Sequence, residues 1–249
     1  MKIVGIIQAR MGSSRFPGKV LKEAAGKPLI LHMVERVLRC RRLDGLCVAT
    51  SQGVKDDPLA AVVQRSPVRV YRGSESDVLD RYWKAAREEQ ADAVVRLTGD
   101  CPLHDPEVID EVVDAYLKQK DSVDYLSNTL MRTYPDGLDV EVFSFEALRR
   151  AANEAADPFH REHVTPYIHR FRDGGGGPFR VAHHTLNSDF SHLRWTVNEP
   201  VDYRFVKQVF ERLYPQDPAF GWLDVLSLMT REPHLLEINR HLVGQQGVA

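Results

Sequence analysis

The chain has 249 residues, with 33 Lys and Arg against 35 Asp and Glu, a formal net charge of −2. Hydrophobic residues make up 43% and charged residues 27%. That is an ordinary globular profile with enough chain for a real core, which excludes disordered and collagen-like architectures. No apolar run approaches the roughly 18 residues of a membrane span. The near-neutral balance argues against a nucleic-acid binder, which needs a broad basic footprint, but permits a small anionic ligand held by a few local cations. The three cysteines, Cys40, Cys47 and Cys101, are dispersed and form no CxxC pair. A reduced, cytoplasmic setting fits them.

The N-terminal run 3–7 reads as a buried first strand and not as a secretory signal. It ends in a basic, turn-rich loop. Leu29, Ile30, Met33, Val34, Val37 and Leu38 then recur at helical spacing. Residues 46–49 predict a second strand, 58–65 a short helix and 68–72 a third strand. Val78, Leu79, Tyr82, Trp83 and Ala86 mark a helical face, 93–97 a buried strand, and Pro106 the start of another helix. Repeated strand–helix alternation predicts an α/β fold: a mostly parallel sheet with flanking helices. The second half is less regular. Strands are expected at 123–127 and 138–143, and again in FRVAHH and LRWTV. Helices are expected at 144–156, 160–171, 200–213, 222–230 and 233–242, with a glycine turn at 174–177. The chain reads as a single domain, 1–249. A first half covers about 1–122, an inserted or appended strand–helix subregion 123–192, and a return to the core with C-terminal helices 193–249.

The densest chemistry follows the first strand. Gln8 to Lys19 contains Gly12 and Gly18, Ser13 and Ser14, and three cations, Arg10, Arg15 and Lys19. Open α/β sheets bind ligands at the carboxyl ends of their strands. Backbone N–H groups, guanidinium forks and an ammonium together suit phosphate. The spacing is neither a Walker A loop nor GxGxxG.

Asp100 lies just past the strand at 93–97. A carboxylate facing a phosphate loop makes sense if Mg²⁺ lies between them. A turn aspartate ahead of Pro102 explains it equally well. Ser76 is expected to cap the helix that follows, with Asp77 and Asp80 at the positive end of its dipole. Arg96, inside an apolar strand, needs an internal acid or a place in the site. Asp136, Asp139 and Glu141 read either as acids lining a pocket or as a solvated strand face. His160 and His163 lack the third ligand that a zinc site requires.

The segment Gln8-Ala9-Arg10-Met11-Gly12-Ser13-Ser14-Arg15-Phe16-Pro17-Gly18-Lys19 resembles the signature of the sugar-activating cytidylyltransferases, most closely the spore-coat polysaccharide biosynthesis group. That group is related to the acylneuraminate and 3-deoxy-manno-octulosonate enzymes. Similar motifs follow in order: Ser76 to Tyr82, Arg96 to Leu103, Asp136 to Glu141, Arg161 to Tyr167, and Trp195 to Val197. The resemblance implies a Rossmann-like nucleotide-diphospho-sugar transferase fold. It also implies transfer of CMP from CTP to a sugar of the acidic class with release of pyrophosphate, for surface polysaccharide or glycoconjugate synthesis. The implied cofactor is Mg²⁺ and the implied assembly a homodimer, with 1–122 as the nucleotide-binding half and 123–192 as the acceptor-binding and dimerisation subregion. Arg10, Arg15, Lys19 and Asp100 are the implied catalytic groups. Ala9, Gly12, Ser13, Ser14, Ser76, Asp77, Thr98 and Gly99 join Arg10, Arg15 and Lys19 at the nucleotide. Asp100 and Asn198 are the implied metal ligands. Asp136, Asp139, Glu141, Arg161, Glu162 and His163 lie at the acceptor. Asn198 departs from the family pattern, which has Asp there, so Glu199 and Asp202 become candidates for the missing charge. A glycosyltransferase of the same fold, or a non-catalytic sugar-nucleotide binder, is the alternative.

Overall fold

The computed structural model describes residues 1–169 and 178–244, so the predicted glycine turn at 174–177 lies outside the described residues. In chain order the elements begin β1 (Ile3–Gln8), a short hairpin β2 (Glu23–Ala24) and β3 (Lys27–Pro28), α1 (Leu29–Val37), β4 (Gly45–Ser51), α2 (Asp57–Val63) and β5 (Arg69–Gly73). α3 (Val78–Glu88), β6 (Ala93–Thr98), α4 (Pro106–Leu117), β7 (Tyr125–Ser127), β8 (Glu141–Ser144) and α5 (Phe145–Glu154) follow. The chain then forms α6 (Pro158–His163), α7 (Pro166–His169), β9 (Val181–His183), α8 (Pro200–Leu213) and α9 (Trp222–Arg231).

One seven-stranded sheet runs β5-β4-β1-β6-β8-β7-β9. β5, β4, β1 and β6 pair in parallel, β8 is antiparallel to both β6 and β7, and β9 is parallel to β7. β8 is therefore the single reversed strand, and the sheet is mostly parallel with helices on both faces, as the alternation predicts. Side chains alternate between faces. Ile3 and Ile7 of β1 face α1, α4, α8 and α9, while Val4 and Ile6 face α3 and α5. Among the described residues, no helix is long and apolar enough to cross a membrane.

Four local expectations are corrected. LRWTV does not form a ladder strand. Arg194 makes an isolated bridge to Asp136, and the N–H groups of Trp195 and Val197 donate to the carbonyls of Asp136 and Asp100 at 2.6 and 2.7 Å. The helix expected at 160–171 breaks at Val164, which has φ 72°. Pro166 disfavours helical backbone just before it and starts α7 afresh. The stretch 233–242 holds two single 3-10 turns, Pro233–Leu235 and Arg240–Leu242, and no continuous helix. Finally, Asp77 and not Ser76 caps α3, its carboxylate accepting the Asp80 N–H at 2.9 Å.

Candidate active site

β1 and β6 lie side by side, and their carboxyl ends deliver the loop of residues 9–18 and the Gly99–Asp100 turn to one place. The fit there is close. A Cβ on Gly99 would sit 2.8 Å from the Ala9 Cβ, and the Gly99 N–H donates to the Gln8 carbonyl at 2.7 Å. Gly18 takes the left-handed conformation (φ 69°) that turns the chain into the 3-10 turn Lys19–Leu21. The loop is also held from below. Asp56 accepts the Met11 N–H at 2.6 Å and the Ser51 N–H at 3.2 Å. Burial pushes the Asp56 carboxyl up, but these donors outweigh it and hold it below the ordinary range. Sequence reading did not identify Asp56 as the anchor, because its partner Met11 is 45 residues away.

Between these elements is a cleft of about 570 Å³. Ala9, Arg10, Ser13, Ser14, Arg15 and Lys19 line one side, and Thr98, Gly99, Asp100 and Asn198 the other. Gln8, Val20, Arg96 and Glu162 complete it. Among the described residues, Arg10 and Arg15 reach loose partners, Glu162 at 3.4 Å and Glu199 at 3.8 Å. Lys19 is buried, with its Nζ 3.1 Å from Asp100 Oδ2 and 2.9 Å from Asn198 Oδ1. Burial pushes the Asp100 carboxyl up, while Lys19 and Thr98 act the other way and leave it below the usual carboxylate range. Cys101 packs against Asp100, Thr98 and Thr196, and burial drives its thiol well above its ordinary value. That is the environment of an inert packed cysteine and not of a nucleophile.

Asn198 reaches the site because residues 193–197 are tied to the end of β6 by the Val197–Asp100 hydrogen bond. Neither nearby acid supplies the charge Asn198 lacks. Asp202 is fully buried and spent on Arg194 (2.9 and 3.0 Å), Asn239 (3.0 Å) and the N–H groups of Asn198 and Glu199 (3.0 and 2.9 Å). Glu199 faces Arg15. Asp100 and Asn198 nonetheless converge on one cation, the Lys19 ammonium. Two hard oxygens around a cation fit Mg²⁺ only if phosphate and water complete the shell. Among the described residues, no cluster of three His, Cys, Asp or Glu could hold a metal alone.

A second cavity of about 380 Å³ adjoins the first, sharing Arg96 and Thr98 with it. Asp139, Glu141, His163 and Thr165 line it, together with Thr129, Phe159, Pro166 and His169. The positive φ at Val164 lets the residues on either side of it, His163 and Thr165, both face this space. Arg96 and Thr98 are two apart on β6 and so share a face. Arg96 pairs across the sheet with Glu141, which also accepts from Tyr125 Oη at 2.7 Å and Thr165 Oγ1 at 2.6 Å. Burial raises the Glu141 carboxyl, but Arg96 and the two hydroxyls outweigh it and keep it low. The 138–143 region is thus no solvated edge: β8 is interior to the sheet and Glu141 is buried. Arg96 Nε is buried without a hydrogen-bond partner among the described residues, so this guanidinium has donor capacity left over.

The remaining sequence candidates lie elsewhere. Asp77 and Arg161 line neither cavity; they pair with each other at 3.0 Å and fasten α3 to α6. Ser76 is exposed, and Gly12 lies on the outer side of the loop. Asp136 lines neither cavity and is held by Arg194 at 3.2 Å. Burial and neighbouring Asp139 push its carboxyl upward. Glu162, expected at the acceptor, lines the first cleft.

Comparison with known proteins agrees with this architecture. The family model described as cytidylyltransferase matches residues 4–176. The spore coat polysaccharide biosynthesis protein SpsF of Bacillus subtilis is 32% identical over 236 residues, 93% of this chain and 95% of that protein. A 3-deoxy-manno-octulosonate cytidylyltransferase of Anaeromyxobacter is 39% identical over 72% of this chain and 69% of that one. A solved cytidylyltransferase from Leptospira borgpetersenii superposes with a TM-score of 0.88 at 29% identity, covering 100% of this chain and 99% of that chain. The chain therefore belongs to the cytidylyltransferase family, and is a nucleotidyltransferase of that family.

Proposed function

We propose that this chain transfers CMP from CTP to a hydroxyl of a sugar, of the acidic class, and releases pyrophosphate. The observation that carries the reading is that Arg96 and Thr98 line both adjoining cavities. A cationic cleft and a polar chamber meet at one guanidinium. A solved synthetase of the same fold, bound to CTP according to its description, has a TM-score of 0.65 at 19% identity, and the acidic acceptors are those of the 3-deoxy-manno-octulosonate relatives.

In this reading Arg10 and Arg15 exchange their loose acidic partners for phosphate oxygens, and the backbone at Ala9 lies along the nucleoside. The acceptor hydroxyl oxygen forms the new bond to the α-phosphorus as the bond to the bridging α–β oxygen breaks. The hydroxyl proton leaves to solvent, and pyrophosphate carries away the electron pair. Arg10, Arg15 and Lys19 hold the charge that builds on that leaving group. Mg²⁺ held by Asp100 and Asn198 would supply further positive charge at the α-phosphate. Arg96, its Nη1 committed to Glu141, sets a fixed positive charge at the junction where the acceptor oxygen approaches. Glu141 and Asp139, immobilised by Arg96 and Arg132, give the acceptor chamber fixed hydrogen-bond acceptors for sugar hydroxyls. The second-half strands, with β9 at the edge of the sheet, are the proposed contact of a homodimer.

Pyrophosphate release with CTP, Mg²⁺ and a panel of 3-deoxy and neuraminic-type acid sugars tests the proposal. Acceptor-dependent release that is lost in Lys19→Ala supports it. Tight CTP binding without turnover on any acceptor favours the non-catalytic binder, to which Asn198 in place of Asp points.

A further inference from the structure

Of the three loop cations, Lys19 is placed differently. Arg10 and Arg15 have side chains 39% and 43% exposed, whereas Lys19 is at 11%, with its ammonium seated between the Asp100 and Asn198 oxygens. Asn198 Nδ2 donates to Thr196 Oγ1 at 3.3 Å, which turns the amide so that its oxygen faces Lys19. The ammonium therefore sits on the two oxygens that a divalent ion would use. One carboxylate and one neutral amide cannot hold two cations at once, because like charges at hydrogen-bonding distance repel strongly in a partly buried site. The local charge sharpens the competition. With Asn at 198, Asp100 is the single carboxylate of the pair, and one ammonium already neutralises it. Asp202, engaged by Arg194, adds nothing, and in the nucleotide-free chain Glu199 faces Arg15.

A triphosphate carries several negative charges into the same cleft and competes for Lys19 far more strongly than one carboxylate and one amide do. We propose that Lys19 is a resident cation that occupies the Asp100–Asn198 oxygen pair until a nucleoside triphosphate draws its ammonium away, so that a divalent ion is admitted only together with nucleotide. Lys19 then has two successive partners, the empty metal pair and the phosphates. The Asp-to-Asn departure at 198 also has a consequence, since a second carboxylate would hold a metal beside the lysine. The inference rests on the nucleotide reading of the cleft.

Mn²⁺ titration of the nucleotide-free chain, followed by the electron paramagnetic resonance signal of the free ion, separates the alternatives without any turnover. Wild type is expected to leave Mn²⁺ free into the millimolar range. Lys19→Met, which keeps the length and removes the charge, is expected to bind it at least about tenfold more tightly. Asn198→Asp keeps Lys19 and adds a carboxylate, and is also expected to tighten Mn²⁺. It serves as the independent variant if Lys19→Met does not fold. Equal Mn²⁺ uptake by wild type and Lys19→Met, or no change in Asn198→Asp, overturns the role of Lys19. Calorimetry with metal-free CTP reports on the nucleotide reading separately: failure to bind there overturns that reading and the nucleotide-linked half of this one.

Discussion

The two adjoining cavities handle charge in opposite ways. In the first, Arg10 and Arg15 face solvent and hold their acids at 3.4 and 3.8 Å, contacts that a ligand can displace at little cost. In the second, the acids are locked. Glu141 takes three donors, and Asp139 takes two nitrogens of Arg132, one of them at 2.8 Å. Deeper in the core, Asp202 takes five hydrogen bonds from Arg194, Asn239 and the backbone at 198 and 199. The first cavity keeps its charge available for an incoming anion. The second uses its charge internally and presents a chamber of fixed shape. A site for a flexible polyphosphate and a site for a rigid polyol differ in the same sense.

The largest expected effect is on the locked side. Arg96→Ala strands Glu141 as a buried, unpaired carboxylate, and should lower stability by roughly 3–5 kcal/mol in urea unfolding. Arg96→Ala combined with Glu141→Gln should recover much of that loss. If the single variant unfolds like wild type, the contrast between the cavities is wrong. Next comes Lys19→Ala, expected to cost about 100- to 1,000-fold in kcat for pyrophosphate release, with a far smaller change in thermal midpoint. Arg15→Ala should weaken CTP binding about tenfold by calorimetry, and move stability by no more than about 0.5 kcal/mol, because its partner Glu199 lies across a loose, half-exposed gap.

The smallest effect is a pH dependence. Glu141 and Asp202 have folded pKa values below their ordinary ones, in each case against the upward push of burial. Their stabilisation is fully present above the unfolded values of about 4.3 and 3.9, and is lost as pH falls through the lower folded values. Urea midpoints should therefore hold steady from pH 7 to 5 and decline below about 4. Glu141→Gln should show a shallower decline, and an equal slope in the variant would contradict the assignment.

The Gln8–Lys19 side of the first cavity was legible in the sequence because its parts are local. The run from Gln8 to Lys19 is continuous, and Asp100 follows a strand whose apolar pattern is plain. The open question over Asp139 and Glu141, pocket or solvated edge, turned on a fact that alternation alone does not carry: β8 runs antiparallel between β6 and β7 and so is covered on both edges. Arg96 was read as needing an internal acid or a place in the site. The sheet register provides both, setting it opposite Glu141 and beside Thr98. LRWTV carries a strand-like pattern, yet its hydrogen bonds go to the loops at 100 and 136, pairings set by tertiary contact. Ser76 and Asp77 have equal capping chemistry, and backbone geometry alone chose the aspartate.

In the proposed reaction the α-phosphorus of CTP is attacked. Phosphorus NMR of a reaction with CTP, Mg²⁺ and an acid sugar tests it directly. The three CTP resonances are expected to give way to pyrophosphate and one new phosphodiester signal, in equal amounts and only with acceptor present. Appearance of CDP with a phosphate monoester would place the chemistry at the γ-phosphorus, and would contradict it.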